Sequence, residues 1–336
     1  MKKFLILFLF VFASAALYAQ AAAGHNTVQN AMRIFEHDGE EVITSFPSQY
    51  LKGNVKIAVV FPEGYKKSIV KYPTVYILGE NLLSKSQIED YFWKKANPKA
   101  IYVSILMPLH QPSPEQLGNF LALEVLPYFE LNYKVSSYPE DRAAAFEGSL
   151  AIKGLEMLSK KGEYFKNAAL LMYETTAMPA LEKPLPEDVT IWAAGERTNM
   201  IRLQGLLEQN HLVFPGHFAY KFAQKTSPKN FWKDVNVSYL LNKDGRKIKK
   251  IKVYSEDNKL SLSALTSVKL WLDVKFDGGY EADYVPPALR TAPPLLNWSA
   301  EDGILTPIQG ADTGTVTIFG KLAAGNSFAA SFDIVK

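Results

Sequence analysis

Between residues 54 and 222 the chain repeats one pattern: a short, almost wholly apolar run, then a stretch of different texture. The runs are VKIAVVF, TVYIL, AIYVSIL, AALLMY and VTIWAAG. A strand with one wet face alternates apolar and polar residues, so a run without alternation is a strand buried on both faces. Helices are what cover the two faces of a parallel sheet. Apolar residues recur at helical spacing over 85–95, 117–132 and 151–161, and Pro127 is expected to bend or divide the second of these. A further strand is expected over 142–146. The pattern implies α/β architecture, a mostly parallel sheet with helices on both faces.

After residue 244 the helical periodicity stops. Short alternating strands follow, KIKKIKVYS, KLWLDVKF, LLNWSA, GTVTIFG and SFAASFDIV, separated by Gly, Pro, Asn and Asp. That texture predicts a C-terminal all-β sandwich over 245–336 beside an α/β domain over 46–244. The basic run KDGRKIKKIK alternates with isoleucine, which fits an edge strand whose lysines discourage further pairing.

The amino terminus, MKKFLILFLFVFASAALYAQ, has two lysines, an apolar run and a small-residue stretch. It reads as a secretory signal peptide over 1–19, cleaved after Ala19 or Ala21, followed by a polar leader over 20–45. The apolar run is too short to span a bilayer, so no membrane span is expected after cleavage. The chain has no cysteine, which excludes disulfides, thiol catalysis and cysteine metal sites. Export without disulfides fits a periplasmic or extracellular protein. Loss of Lys2 and Lys3 lowers the 37 basic residues to 35 against 34 acidic ones, and a chain so nearly neutral overall suggests electrostatic binding neither to nucleic acid nor to anionic lipid. No H-E-x-x-H, Walker A or Rossmann motif occurs, so neither metal nor cofactor is expected. Glu301 and Asp302 sit in SAEDGIL, where ordinary turn chemistry accounts for them.

The order of these segments resembles an esterase family of α/β-hydrolases that includes feruloyl, acetyl-xylan and enterochelin esterases and S-formylglutathione hydrolases. GNVKIAVVFPEGYKKSIVKYPTVYILGEN is similar to that family's opening, a strand, a P-x-G-Y turn, then Y-P-V-x-Y-x-L-D-G. FLALEVLPYFELNYKV resembles the helix before the nucleophile, RAAAFEGSLAIKGL stands where the family has R-x-I-x-G-x-S-x-G-G, and VTIWAAGERTNM resembles the strand that carries the acid. The resemblance spans residues 53–232. LLNWSAEDGIL and GTVTIFGKL resemble segments of bacterial Ig-like domains.

The resemblance implies a serine nucleophile, a histidine base, an acid and an oxyanion hole. Counted from Arg142 without a gap, the nucleophile position falls on Gly148, with bulky Phe146 and Leu150 at flanks where the family has small residues. Shifted by one it falls on Ser149, flanked by Glu147 and Ala151. Glycine would relieve the positive φ of a nucleophile elbow, while Ser149 fits the flanks better and could equally be a helix N-cap. Both registers stay open. Asn199 stands at the acid position, near Glu196. The family's histidine follows the last core strand, where this chain has Thr226, Ser227, Pro228 and Lys229. Of the five histidines, His25 and His37 lie in the leader, His110 follows AIYVSIL, and His211 and His217 precede the last strand, so His217 serves only if that strand is shifted. The family's L-D-G is ILGEN here. Trp192, Tyr220, Phe222, Phe231 and Trp232 are expected mostly in the core, with a few at the cleft mouth able to stack on sugar rings. The first reading is an exported esterase-like protein with an inactive site, an envelope or extracellular binding or scaffold protein for a carbohydrate or acyl-ester ligand. The alternative is an active serine carboxylic-ester hydrolase on carbohydrate-linked acyl esters, using Ser149 with His217 or His211.

Overall fold

The computed structural model describes residues 41–92, 99–108, 110, 112–174, 177–223, 232–256, 260–263 and 266–335. The segments 1–19, 224–231 and most of 20–45 therefore lie outside the described residues, and with them the expected signal peptide, His25, His37, Phe231 and the place of the family's histidine.

Eight strands build the main sheet. They are β1 (Glu41–Ser48), β2 (Gly53–Val60), β3 (Thr74–Gly79), β4 (Ile101–Leu106), β5 (Arg142–Glu147), β6 (Asn167–Met172), β7 (Thr190–Gly195) and β8 (Phe218–Phe222). Their spatial order is β1-β2-β4-β3-β5-β6-β7-β8. β2 is antiparallel to both neighbours, and every contact from β4 through β8 is parallel. This is the strand order of the α/β-hydrolase fold. β3, β6 and β7 are buried along their whole length, which is why their sequences show no alternation. The leader expected to run to residue 45 instead turns into β1 at Glu41. Pro47 is tolerated there because β1 is an edge strand.

The helices α1 (Lys85–Tyr91), α2 (Pro114–Asn119), α3 (Leu126–Asn132) and α4 (Leu150–Lys161) fall where helical spacing was read. Capping boxes from Ser84 to Gln87 and from Ser113 to Gln116 open the first two. Between α2 and α3 the helix widens into a π turn, Phe120–Val125, and the Leu126 N–H bonds to Leu121 O. The irregularity thus sits just ahead of Pro127, whose ring excludes the usual bond to the fourth preceding carbonyl. α5 (Arg197–Gln209) follows β7, and α6 (Val237–Leu241) precedes the C-terminal strands.

The sheet does not stop at residue 244. β12 (Glu281–Tyr284) pairs with β8 at Asp283↔Tyr220, β11 (Val268–Phe276) pairs with β12, and β9 (Ile248–Ser255) lies on the other side of β11. Among the described residues β9 pairs with β11 alone, as its lysines suggested. β14 (Leu296–Ser299) and β15 (Ile304–Pro307) extend the sheet further. Opposite them lies a second sheet of β10 (Ser261–Ser263), β17 (Ser327–Val335), β16 (Gly314–Lys321) and β13 (Arg290–Ala292). Leu270, Leu296 and Leu305 from one sheet meet Val316, Ile318, Phe332 and Ile334 from the other in a small core. The main core also reaches across residue 244, taking in Leu272, Val274, Phe276 and Tyr284.

Candidate functional site

In parallel α/β sheets, ligands gather at the carboxyl ends of the strands. Here the turn from β5 into α4 lies at that edge. Apolar β5 runs buried to Phe146, Glu147 is half-buried, and Gly148 turns the chain at φ +63° before α4 starts at Leu150. The Gly148 N–H donates to Leu171 O at 2.9 Å, and its carbonyl accepts from Ala151 N–H at 3.0 Å. The positive φ of a nucleophile elbow therefore falls on Gly148. Ser149 is the N-cap residue of α4 in ordinary right-handed geometry, φ −65° and ψ −18°, exposed and without a side-chain capping bond. The bulky flank that Phe146 presents is accommodated by Gly154, on which any Cβ would overlap the Phe146 ring. One small residue a turn into the helix thus does what small elbow flanks do elsewhere.

The space above the elbow is filled. A Cβ on Gly148 would stand 2.8 Å from the Tyr173 hydroxyl, and one on Gly79 would overlap the Glu147 carboxylate. Gly79 ends β3, within the ILGEN segment where oxyanion donors are expected. The Glu147 carboxylate accepts hydrogen bonds from the Glu80 backbone N–H and the Trp232 side chain. Burial pushes the Glu147 carboxyl above its ordinary range, and the Glu80 charge adds to this against those two bonds. Burial and the charges of Glu147, Glu80 and Glu174 push the Tyr173 phenol up to about 12. Tyr173 therefore stays protonated at neutral pH.

Asn199 is fully buried, and its Nδ2 donates to Met172 O at 3.3 Å and Glu174 O at 2.6 Å. Those bonds tie α5 to the end of β6. His217 lies at the opposite edge of the sheet, since its carbonyl accepts from Ile191 N–H at the start of β7. Five residues of strand rise and three strand spacings separate it from Gly148, on the order of 20 Å. Its Nδ1 accepts from Val213 N–H at 3.2 Å, and burial, then Arg246, holds its pKa below the ordinary range. His211 follows Asn210, the C-cap of α5, at φ +64°, also at the amino edge. Both histidines precede β8, which puts them at the amino edge of a parallel sheet, and neither His211 nor His217 meets Ser149.

A cleft of about 540 Å³ adjoins the elbow, lined by Lys52, Lys56, Glu80, Met107, His110 and Leu150 among others. His110 thus shares a cleft with the residue that follows Ser149. The bracketing strand ends could have signalled this, because His110 comes just after the apolar run AIYVSIL. Of the aromatics, Trp192, Tyr220 and Trp232 are buried, and Trp192 Nε1 donates to Asp234 O at 2.7 Å. Phe222 is half-buried and packs against Arg197. Among the described residues no group of His, Asp or Glu has the arrangement of a metal site, and no helix is long and apolar enough to cross a membrane.

No family model and no curated protein matches this chain in sequence. Solved structures do resemble it. A ferulic acid esterase is 14% identical with a TM-score of 0.47, the match covering 61% of this chain and 97% of that one. FphF, a fluorophosphonate-binding serine hydrolase of Staphylococcus aureus, is 11% identical with a TM-score of 0.47, covering 61% of this chain and all of its own, 100%. A CE1 ferulic acid esterase from Anaeromyces mucronatus, in complex with ferulic acid, is 15% identical with a TM-score of 0.41, covering 61% of this chain and 88% of its own.

Proposed function

We propose that this chain is an esterase-like α/β-hydrolase-fold protein whose carboxyl-edge cleft binds an acyl-ester or carbohydrate-linked acyl ligand without hydrolysing it by serine chemistry. The observation that carries the reading is Gly148, at φ +63° with the Tyr173 hydroxyl over it. Acyl transfer needs a nucleophile held at the elbow and a base in hydrogen-bond reach. Glycine supplies no nucleophile, and Asn199 is bonded elsewhere. The cleft remains, with apolar walls at Met107 and Leu150 and polar groups at Glu80 and His110, which is the make-up of a small-molecule site. The amino-terminal pattern supports export, and with it a role at the envelope or outside the cell.

One observation favours a second reading, ester hydrolysis. Ser149 is exposed one residue past the elbow, and His110 lines the cleft bounded by Leu150. Ser149 attacking with His110 as base would be an elbow shifted by one residue.

Feruloyl esters are the first ligands to offer, since two of the similar structures are ferulic acid esterases. Methyl ferulate and p-nitrophenyl acetate are incubated with the protein, with Ser149→Ala and with His110→Ala. The binding reading predicts no turnover above the Ser149→Ala rate and saturable, calorimetrically detectable binding of the intact ester. Turnover abolished by both substitutions would instead establish the second reading.

A further inference from the structure

Far from the cleft, the turn between β2 and β3 reads PEGYKKSIVKYP. It displays two neighbouring aliphatic side chains to solvent, Ile69 at 99% exposure and Val70 at 66%. Scattered exposed apolar residues are commonplace, but this pair is framed by exposed Lys66, Lys67 and Lys71, with Glu63 the one acidic residue of the turn. The turn is also held in shape. The Lys134 ammonium donates to Tyr65 O at 3.0 Å, Lys66 O at 3.0 Å and Ser68 O at 2.8 Å, and it lies 5.1 Å from the Tyr65 ring centre. Tyr65 itself is buried, and its hydroxyl accepts from Lys134 N–H. Beyond the tip, Tyr72 N–H bonds to Lys134 O and Ser136 N–H bonds to Tyr72 O. The apolar tip therefore stands out from a fixed base. Leu131, three residues before Lys134, is 83% exposed.

We propose that this turn is an interfacial anchor for an anionic lipid surface, with Ile69 and Val70 entering the headgroup boundary and Lys66, Lys67 and Lys71 meeting its negative charge. Two apolar side chains bind a bilayer only weakly, and each nearby lysine adds about 1 kcal/mol at an anionic surface, so the lysines decide which membrane is chosen. A pre-shaped loop loses little conformational freedom on docking. The turn precedes β3 and so lies at the amino edge of the sheet, which leaves the cleft at the carboxyl edge facing away from the lipid.

The absence of cysteine makes the test specific to position. Ile69→Cys carries an environment-sensitive NBD label, and a second full-length chain carries the label at Lys321→Cys in the C-terminal sheet. Each is mixed with phosphatidylcholine vesicles, with or without phosphatidylglycerol. The expected result is a blue-shifted, brighter signal at position 69 on the anionic vesicles alone, with no change at position 321. Lys66→Glu with Lys67→Glu should weaken that response at least about tenfold. No response at 69, an equal response at both positions, an equal response to both vesicle types, or a response untouched by the charge reversal would each overturn the proposal.

Discussion

Burial, helped by the Glu80 charge, holds the Glu147 carboxyl above the ordinary glutamate range, so the folded chain keeps a proton there that the unfolded chain has already released. A raised carboxyl pKa means that the folded state binds more protons in the window between the two values. Stability contributed by Glu147 is thus present at low pH and is lost as pH rises from the ordinary glutamate value of 4.5 through the raised folded value. Glu147→Gln removes this dependence. Urea midpoints measured between pH 4 and pH 7 should fall for the wild type relative to the variant as pH rises, and parallel curves would contradict the assignment. Gly148 makes a second residue-level prediction. Gly148→Ser places a side chain at positive φ against the Tyr173 hydroxyl and should destabilise by about 1–3 kcal/mol without creating esterase activity. Adding Tyr173→Ala should recover part of that loss, read as a rise in Tm. The sequence showed Gly148 and Ser149 as rival elbow residues but could not choose, because the deciding contact joins Phe146 to Gly154 through space. Tyr173 was invisible as a site residue, since only the sheet register brings the end of β6 over the elbow.

At the scale of elements, Arg197 joins the two halves of the molecule. It begins α5, lies between the Phe222 and Trp271 rings at 4.9 and 5.2 Å, and its Nη2 donates to Leu270 O at 2.9 Å and Gly303 O at 3.1 Å. Arg197→Ala removes two charge-assisted bonds and both stacking contacts, and should lower stability by about 2–4 kcal/mol in chemical denaturation. A change under about 0.5 kcal/mol would show that the contact only decorates the seam. Most parallel strands were legible because burial on both faces erases alternation. β1 was not, since EVITSFPS is an edge strand with a proline and only Phe46 and Ser48 buried. α5 was missed because its buried positions, Met200, Leu203 and Leu207, are diluted by buried Asn199 and Gln204. Neither polar residue is idle. Gln204 Oε1 accepts from the Tyr220 hydroxyl at 2.6 Å, and its Nε2 donates to Val285 O at 2.7 Å, a second tie across the seam.

For the whole molecule, the change of texture at residue 244 was plain in the sequence, but its meaning was not. Periodicity reports which face of a strand is buried and says nothing about which strand lies beside it. The sheet in fact continues from β8 into β12, where buried Asp283 accepts from Phe222 N–H at 2.7 Å and from Lys221 Nζ at 3.1 Å. Shared core and shared sheet predict one cooperative unfolding transition, with calorimetric and van't Hoff enthalpies in a ratio of about 1. A chain cut after residue 244 should not fold, because Leu272, Val274 and Phe276 would leave the main core. Two separated transitions would overturn this view of the molecule. The proposed binding role turns on the elbow, where Gly148 takes the positive φ and supplies no nucleophile. Intact-mass spectrometry after incubation with an excess of an alkyl fluorophosphonate tests it most directly. An unmodified chain is expected, and a single phosphonyl adduct mapped to Ser149 would overturn the binding role.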